Sequence, residues 1–151
     1  NYLLEFTVYR AGLVEPLAQV LLKLGVKRAI VVHGQDGIDE ISMCAPTTCC
    51  ELRDGQLTSY VLESEQVGLP RCRPGDLTGG APEENAQIAL DILNGQKGPK
   101  RNAVVLNSAA CIYMVRDGIT LKEAVKTAEE LIDSGKAKEQ LEKFIALSNE
   151  K

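Results

Sequence analysis

Apolar positions along the chain follow two periods, and the changes between them mark out the elements. Leu3 to Tyr9 is rich in β-favouring residues and predicts a strand. Leu13, Leu17, Val20, Leu21 and Leu24 then recur at helical spacing, with Gly25 where a C-terminal glycine would end that helix. Ala29-Ile30-Val31-Val32 is a continuous apolar run of strand length. Following such a helix, it predicts a buried parallel strand in a β-α-β unit. Thr47 to Arg53 and Gln56 to Leu62 flank Asp54-Gly55, a pair that tolerates the positive φ values of a type I′ hairpin turn.

A loop-like stretch with Gly68, Pro70, Pro74, Gly75, Gly79 and Gly80 follows. Beyond it the pattern turns helical. Pro82, Glu83 and Glu84 suit a first helical turn, and that helix is predicted to reach about Asn94, before Gly95. Ala103 to Val115 predicts a largely buried helix, and Thr120-Leu121-Lys122-Glu123 is a capping box that opens the next one. Ser134-Gly135 breaks it, and Lys136 to Leu147 predicts an amphipathic closing helix. The expected architecture is α/β: a mostly parallel sheet with an antiparallel hairpin, flanked by helices, with a helical C-terminus. Its 151 residues fit a single domain. Aromatic residues make up 4% with no Trp, so aliphatic side chains must build the core.

Net charge of −4 removes any global attraction for nucleic acid or an anionic membrane. No apolar run reaches bilayer length, and the start carries no secretory signal pattern. Five cysteines (Cys44, Cys49, Cys50, Cys72 and Cys111) form an odd, irregularly spaced set without a C-x-x-C pair. That argues against a disulfide framework or a zinc site, and a reducing cytoplasm is the expected setting. Cys49 and Cys50 are expected on opposite faces of one strand. The chain starts at Asn1 and runs at once into a strand-like segment, which reads as a piece of something longer.

The strongest chemical signal is Asp36-Gly37-Ile38-Asp39-Glu40. It leaves the carboxyl end of the predicted buried strand, where open α/β sheets gather ligands. Consecutive carboxylates in a loop can face one cavity, whereas on a helix they would diverge by about 100°. Asp39 and Glu40 together suit Mg²⁺, which binds through one or two carboxylates plus substrate phosphates. The competing reading is an ordinary acidic glycine turn on the surface.

Other polar residues favour structural roles. His33 reads as a hydrogen-bonded structural histidine, and Gly79-Gly80 as a loop whose anion-binding capacity is opposed by Glu83 and Glu84. Asn85 and Asn107 are assigned to no site, each being able to satisfy backbone groups at a helix packing face, and Thr47-Thr48 are expected to be strand residues. Lys97, Lys100 and Arg101 are expected to form a solvated helix entrance.

The run from Val31 to Ser42, Val-Val-His-Gly-Gln-Asp-Gly-Ile-Asp-Glu-Ile-Ser, resembles the signature of the anthranilate phosphoribosyltransferases. These belong to glycosyltransferase family 3, with the class IV phosphoribosyltransferase fold. Further matches follow in order: Glu51-Leu52, Gly55, Gly68-Leu69, Gly79-Gly80, Glu84-Asn85-Ala86 and Ile92-Leu93-Asn94-Gly95. Asn107-Ser108-Ala109-Ala110 and Ile132-Asp133-Ser134-Gly135-Lys136-Ala137 complete the series, so the resemblance covers nearly the whole chain.

The resemblance implies Mg²⁺-dependent transfer of a phosphoribosyl group from phosphoribosyl diphosphate to anthranilate, a step of tryptophan synthesis. It also implies Asp39 and Glu40 as the metal ligands and a homodimeric parent enzyme; the cysteine usage and the net charge add a cytoplasmic setting and no nucleic-acid or membrane partner. The family's glycine-rich diphosphate loop, its Asn-x-Ser and Lys-His-Gly-Asn segments, its anthranilate-contacting arginine and its helical dimerisation domain lie upstream of anything matched here. Residues 1–151 are therefore expected to be the C-terminal α/β part of a two-domain enzyme, inactive alone. Glu5-Phe6-Thr7-Val8-Tyr9 also departs from the family's usual Leu-Gly-Val-Tyr. Rival readings are a pyrimidine nucleoside phosphorylase-like enzyme, a nucleic-acid-binding relative of the family, and a folding module without a ligand.

Overall fold

The computed structural model describes residues 3–149, so Asn1 and the reading placed on it lie outside the described residues. The strand Arg28–Gly34 (β2) is buried along its whole length. Ala29 and Val31 face one layer while Ile30 and Val32 face another, so an unbroken apolar run is what a strand covered on both sides requires. The strand Leu3–Thr7 (β1) pairs parallel to it, and Thr47–Arg53 (β3) pairs antiparallel on its other side. Gln56–Leu62 (β4) completes the order β1-β2-β3-β4.

The α/β class, the hairpin, the flanking helices and the helical C-terminus match the sequence reading. The expectation of a mostly parallel sheet needs correcting for the described strands, because only β1 and β2 pair in parallel. The reason lies in the connection. No helix crosses over between β2 and β3; a loop returns the chain at the same end of the sheet, which forces antiparallel pairing. The hairpin is as predicted, with positive φ at both Asp54 and Gly55.

One face of the sheet is covered by the helix Val14–Lys23 (α1). Gly25 adopts positive φ there, and the amides of Gly25 and Val26 reach back to the carbonyls of Leu22 and Leu21, closing the helix with a Schellman motif. The buried stripe is Val14, Ala18 and Leu21, whereas Leu13, Val20 and Leu24 are exposed. Ala18, the smallest of the three, is fully buried against the sheet.

The other face is covered by Pro99–Val115 (α3) and Leu121–Asp133 (α4), with Pro82–Leu93 (α2) and Lys136–Asn149 (α5) outside them. α3 starts four residues earlier than the apolar pattern indicated, because Pro99 occupies its first turn, where a missing amide costs nothing. Thr120 caps α4 as expected: its hydroxyl accepts from the Glu123 amide at 3.2 Å, while Glu123 accepts from the Thr120 amide at 2.7 Å. Cys49 and Cys50 join the two opposite core clusters, as the strand alternation requires. Among the described residues, no helix is long and apolar enough to cross a membrane.

Candidate functional site

At the carboxyl end of β2 the chain turns sharply. The Gly37 amide donates to the Gly34 carbonyl at 2.9 Å, and the Gly34 amide donates to the Ile38 carbonyl at 3.0 Å. Gly37 has φ of 91°, which an L side chain rarely adopts. A Cβ at Gly34 would run into the Ile38 side chain and stand 2.7 Å from Asp36 Oδ1. Both glycines are therefore dictated by the turn, one by conformation and one by space.

Three ties hold the turn from behind. The Ser42 hydroxyl donates to Asp36 Oδ2 at 2.8 Å and accepts from the amides of Cys44 and Ala45 at 2.9 and 3.1 Å. The Ser42 amide donates to Thr47 Oγ1 at 2.9 Å. From α3, Asn107 Oδ1 accepts from the Ile41 amide at 3.0 Å, and its Nδ2 donates to the Ile41 carbonyl at 3.1 Å. The residue directly after Glu40 is thus clamped at both backbone groups, by a side chain distant in sequence.

Asp39 and Glu40 lie between these ties, and both are exposed. Asp36 is engaged by Ser42, so it belongs to the support and not to the pair. Glu40 lines a groove of about 530 Å³ with Ile38, Met43, Leu77, Ile88 and Lys100, whereas Asp39 does not line it. The groove walls are mostly apolar, with Glu40 and Lys100 the charged side chains among those lining it. Lys100 was not singled out for this place, although its helical spacing to Ala103 and Val104 puts all three on one face of α3.

The donor set bears directly on a metal. Among the described residues no group of three or more His, Cys, Asp or Glu side chains could hold an ion. Asp39 and Glu40 are neighbours in sequence and both exposed, but only Glu40 reaches the groove, which corrects the expectation that the two face one cavity. Such a pair fits at most a weakly held Mg²⁺ that keeps most of its water or takes substrate phosphate oxygens, not a caged structural ion.

The remaining sequence candidates settle into structural roles. His33 is buried, and its Nδ1–H donates to the Val8 carbonyl at 2.7 Å, tying the end of β1 to β2. Thr47 is buried and supports Ser42, while Thr48 accepts from Gln35. Asn85 pairs with both backbone groups of Gly80 at 2.9 Å, filling the space an anion would need at Gly79-Gly80. The basic cluster requires a correction: Arg101 is 3% exposed and no solvated entrance. Glu129 and Asp133 of α4 hold its guanidinium at 3.3 and 2.8 Å, and Lys97 shares Asp133. Both terminal nitrogens of its guanidinium are thus paired across the α3–α4 contact, while its Nε has no partner among the described residues.

The sequence pattern of the family described as "Glycosyl transferase family, a/b domain" matches residues 5–138. The chain belongs to that family. It is 63% identical over 142 residues to the anthranilate phosphoribosyltransferase of Lachnoclostridium phytofermentans, covering 94% of this chain and 42% of that one. The crystal structure of the Thermus thermophilus anthranilate phosphoribosyltransferase superposes with a TM-score of 0.84 at 38% identity, over 93% of this chain and 41% of the other. The Saccharomyces cerevisiae enzyme in complex with PRPP and Mg gives a TM-score of 0.84 at 28% identity, over 94% of this chain and 41% of the other. The chain thus spans about two fifths of the length of the relatives it matches.

Proposed function

We propose that these 151 residues are the C-terminal α/β part of a two-domain, cytoplasmic, homodimeric anthranilate phosphoribosyltransferase of tryptophan synthesis. Its reaction would transfer the phosphoribosyl group of phosphoribosyl diphosphate to the amine of anthranilate, with Asp39 and Glu40 as ligands of Mg²⁺. The observation that carries the metal assignment is the pair of neighbouring exposed carboxylates on a turn braced by Ser42 and Asn107. The high identity to enzymes of that name supports the substrate assignment.

Bound Mg²⁺ would supply counter-charge to the diphosphate as the bond to the ribose breaks. The chain's own contribution is positioning. Gly34 and Gly37 let the backbone reverse, Ser42 fixes Asp36 out of the way, and Asn107 holds Ile41 so that Glu40 stays at the groove. No nucleophile is required of the protein, since the anthranilate amine attacks the ribose carbon directly.

Calorimetric titration of the chain with Mg²⁺, with and without phosphoribosyl diphosphate, tests the assignment. Binding should be weak and should fall roughly tenfold or more in the Asp39→Asn, Glu40→Gln double variant. Unchanged binding in that variant would remove both residues from the metal site. No turnover is expected from the chain alone, because the matched relatives are more than twice its length. Product formed by the purified chain would overturn that part.

A further inference from the structure

Behind the acidic turn, the sulfurs of Cys44 and Cys72 stand 3.3 Å apart. They come from segments that meet only in the folded chain. Cys44 belongs to the loop organised by Ser42, and Cys72 to the arm that leads to Leu77 and Gly79 of the groove wall. The Cys72 amide donates to the Met43 carbonyl at 3.0 Å, so the two backbones are already fastened side by side at this point. Neither thiol is sealed off: both residues are partly exposed, unlike Cys49 and Cys50 in the core.

We propose that Cys44 and Cys72 form a reversible disulfide that staples the loop bracing the acidic turn to the arm forming the groove wall. The inference is independent of any metal at Asp39 and Glu40. The sulfurs need to close from 3.3 Å to a bond of about 2.05 Å, and the Cys72–Met43 backbone hydrogen bond already holds the two segments side by side next to them. The loop closed by the bond spans the whole β3–β4 hairpin, so the bond would constrain the unfolded chain substantially.

The oxidant is a small-molecule disulfide, R–S–S–R. The Cys44 thiolate attacks one of its sulfurs and expels one thiolate RS⁻, giving a mixed disulfide on Cys44. Cys72 then loses its proton to solvent and attacks Cys44 Sγ, expelling the second RS⁻. Two protein thiols are oxidised and one small disulfide is reduced to two thiols. The two sulfurs touch, so either thiol can attack first and the other resolves the mixed disulfide; burial and the adjoining Cys44 thiol raise the Cys72 pKa.

Through Ser42 the consequence reaches the turn. The Ser42 hydroxyl joins the Cys44 amide to the Asp36 carboxylate, so immobilising Cys44 also immobilises the turn's brace. Hydrogen exchange should slow around Ser42 to Ala45 and around Cys72 to Leu77 in the oxidised chain.

The test uses the full chain with the exposed Cys111 replaced (Cys111→Ser), equilibrated with oxidised glutathione and digested without reduction. The expected product is lighter by two hydrogens, yields a Cys44–Cys72 cross-linked peptide, and reverts on adding dithiothreitol. Its thermal midpoint should rise by roughly 5 °C or more over the reduced form. Cys44→Ser and Cys72→Ser should each leave a glutathione adduct on the remaining partner, with no cross-link and no such rise. Because the cross-link is read in a chain retaining both cysteines, misfolding of either serine variant does not blur the result. Glutathione adducts alone, unreacted thiols, or a cross-link through Cys49 or Cys50 would overturn the proposal.

Discussion

The two ends of β2 carry opposite solutions to the same problem of placing charge beside an apolar strand. At its start, Arg28 is buried and its guanidinium is largely satisfied. Nη2 donates to the Tyr113 carbonyl at 2.7 Å, and Nη1 to the Arg116 carbonyl at 3.4 Å and to Asp117 at 3.0 Å. Arg28 and Arg53 each lie over the ring of Tyr113, at 5.1 and 5.3 Å from its centre, and its hydroxyl donates to Glu51 at 3.0 Å. At the other end, Asp39 and Glu40 are exposed, and among the described residues no hydrogen bond or ion pair engages them. A charge network whose members pair mostly with one another, with only Arg28 Nε left without a partner among the described residues, is a device for stability. Carboxylates held in position but left unpaired are available to something outside the chain.

That contrast is most severely tested by mutating one end and reading the other. Arg28→Ala removes the donor that serves the last carbonyls of α3 and the cation over Tyr113. It should cost about 2–4 kcal/mol of stability, measured as a shift in the urea midpoint. The link to Asp117 adds little to that figure, since Asp117 is fully exposed. Mg²⁺ affinity of the folded fraction should stay as it was. The Asp39→Asn, Glu40→Gln variant should behave in reverse, with stability within about 0.5 kcal/mol of the parent. If Arg28→Ala weakened Mg²⁺ binding as much as the double variant does, the two ends would not be separate devices.

Asn107 sharpens the comparison because it is the point where structure and candidate site meet. Asn107→Ala leaves both backbone groups of Ile41 without their partner and should cost about 1–2 kcal/mol, with a fall in Mg²⁺ affinity. Asn107→Asp can still accept from the Ile41 amide but has nothing to donate to the Ile41 carbonyl, so its defect should lie at least as deep. Denaturation and calorimetry on the two variants check this. Loss of stability with no change in Mg²⁺ binding would show that the clamp serves packing alone.

What could be read from the sequence follows from distance along the chain. Asp54-Gly55, Gly25 and the Thr120–Glu123 box were legible because each encodes its own backbone geometry within a few residues. The acidic turn was legible as a motif for the same reason. Asn107 could be named only as a residue that satisfies backbone groups, because the groups it satisfies lie 66 positions away. Arg101 was misread as solvated because its partners, Glu129 and Asp133, come from the next helix. Cys44 and Cys72 carry no spacing signature and meet only in the folded chain, next to the Met43–Cys72 backbone bond. In α1 the apolar spacing alone did not separate Leu13, Val20 and Leu24, which are exposed, from the stripe of Val14, Ala18 and Leu21, which is buried against the sheet.

The smallest expected effect concerns Glu51, where the closed network still leaves a trace of imbalance. Burial raises its pKa above the ordinary value of 4.5, and the hydrogen bond from Tyr113 only partly offsets that. A carboxyl whose folded pKa is raised holds its proton more tightly in the native state. Its contribution to stability is therefore greatest below the unfolded value and declines as pH rises through the folded value. Asp133 has the opposite sign: its hydrogen bonds from Lys97 and Arg101 lower its pKa below 3.8, so its contribution is present above that value and lost as pH falls through the lowered one. Glu51→Gln keeps an acceptor for the Tyr113 hydroxyl but cannot ionise. Relative to the parent it should gain a little stability as pH rises from about 4 through neutrality, while the acid-side loss owed to Asp133 remains. Urea midpoints of the two proteins across that range decide the sign. A variant that instead loses ground as pH rises would mean that Arg53, 3.3 Å from the Glu51 carboxylate, outweighs its burial.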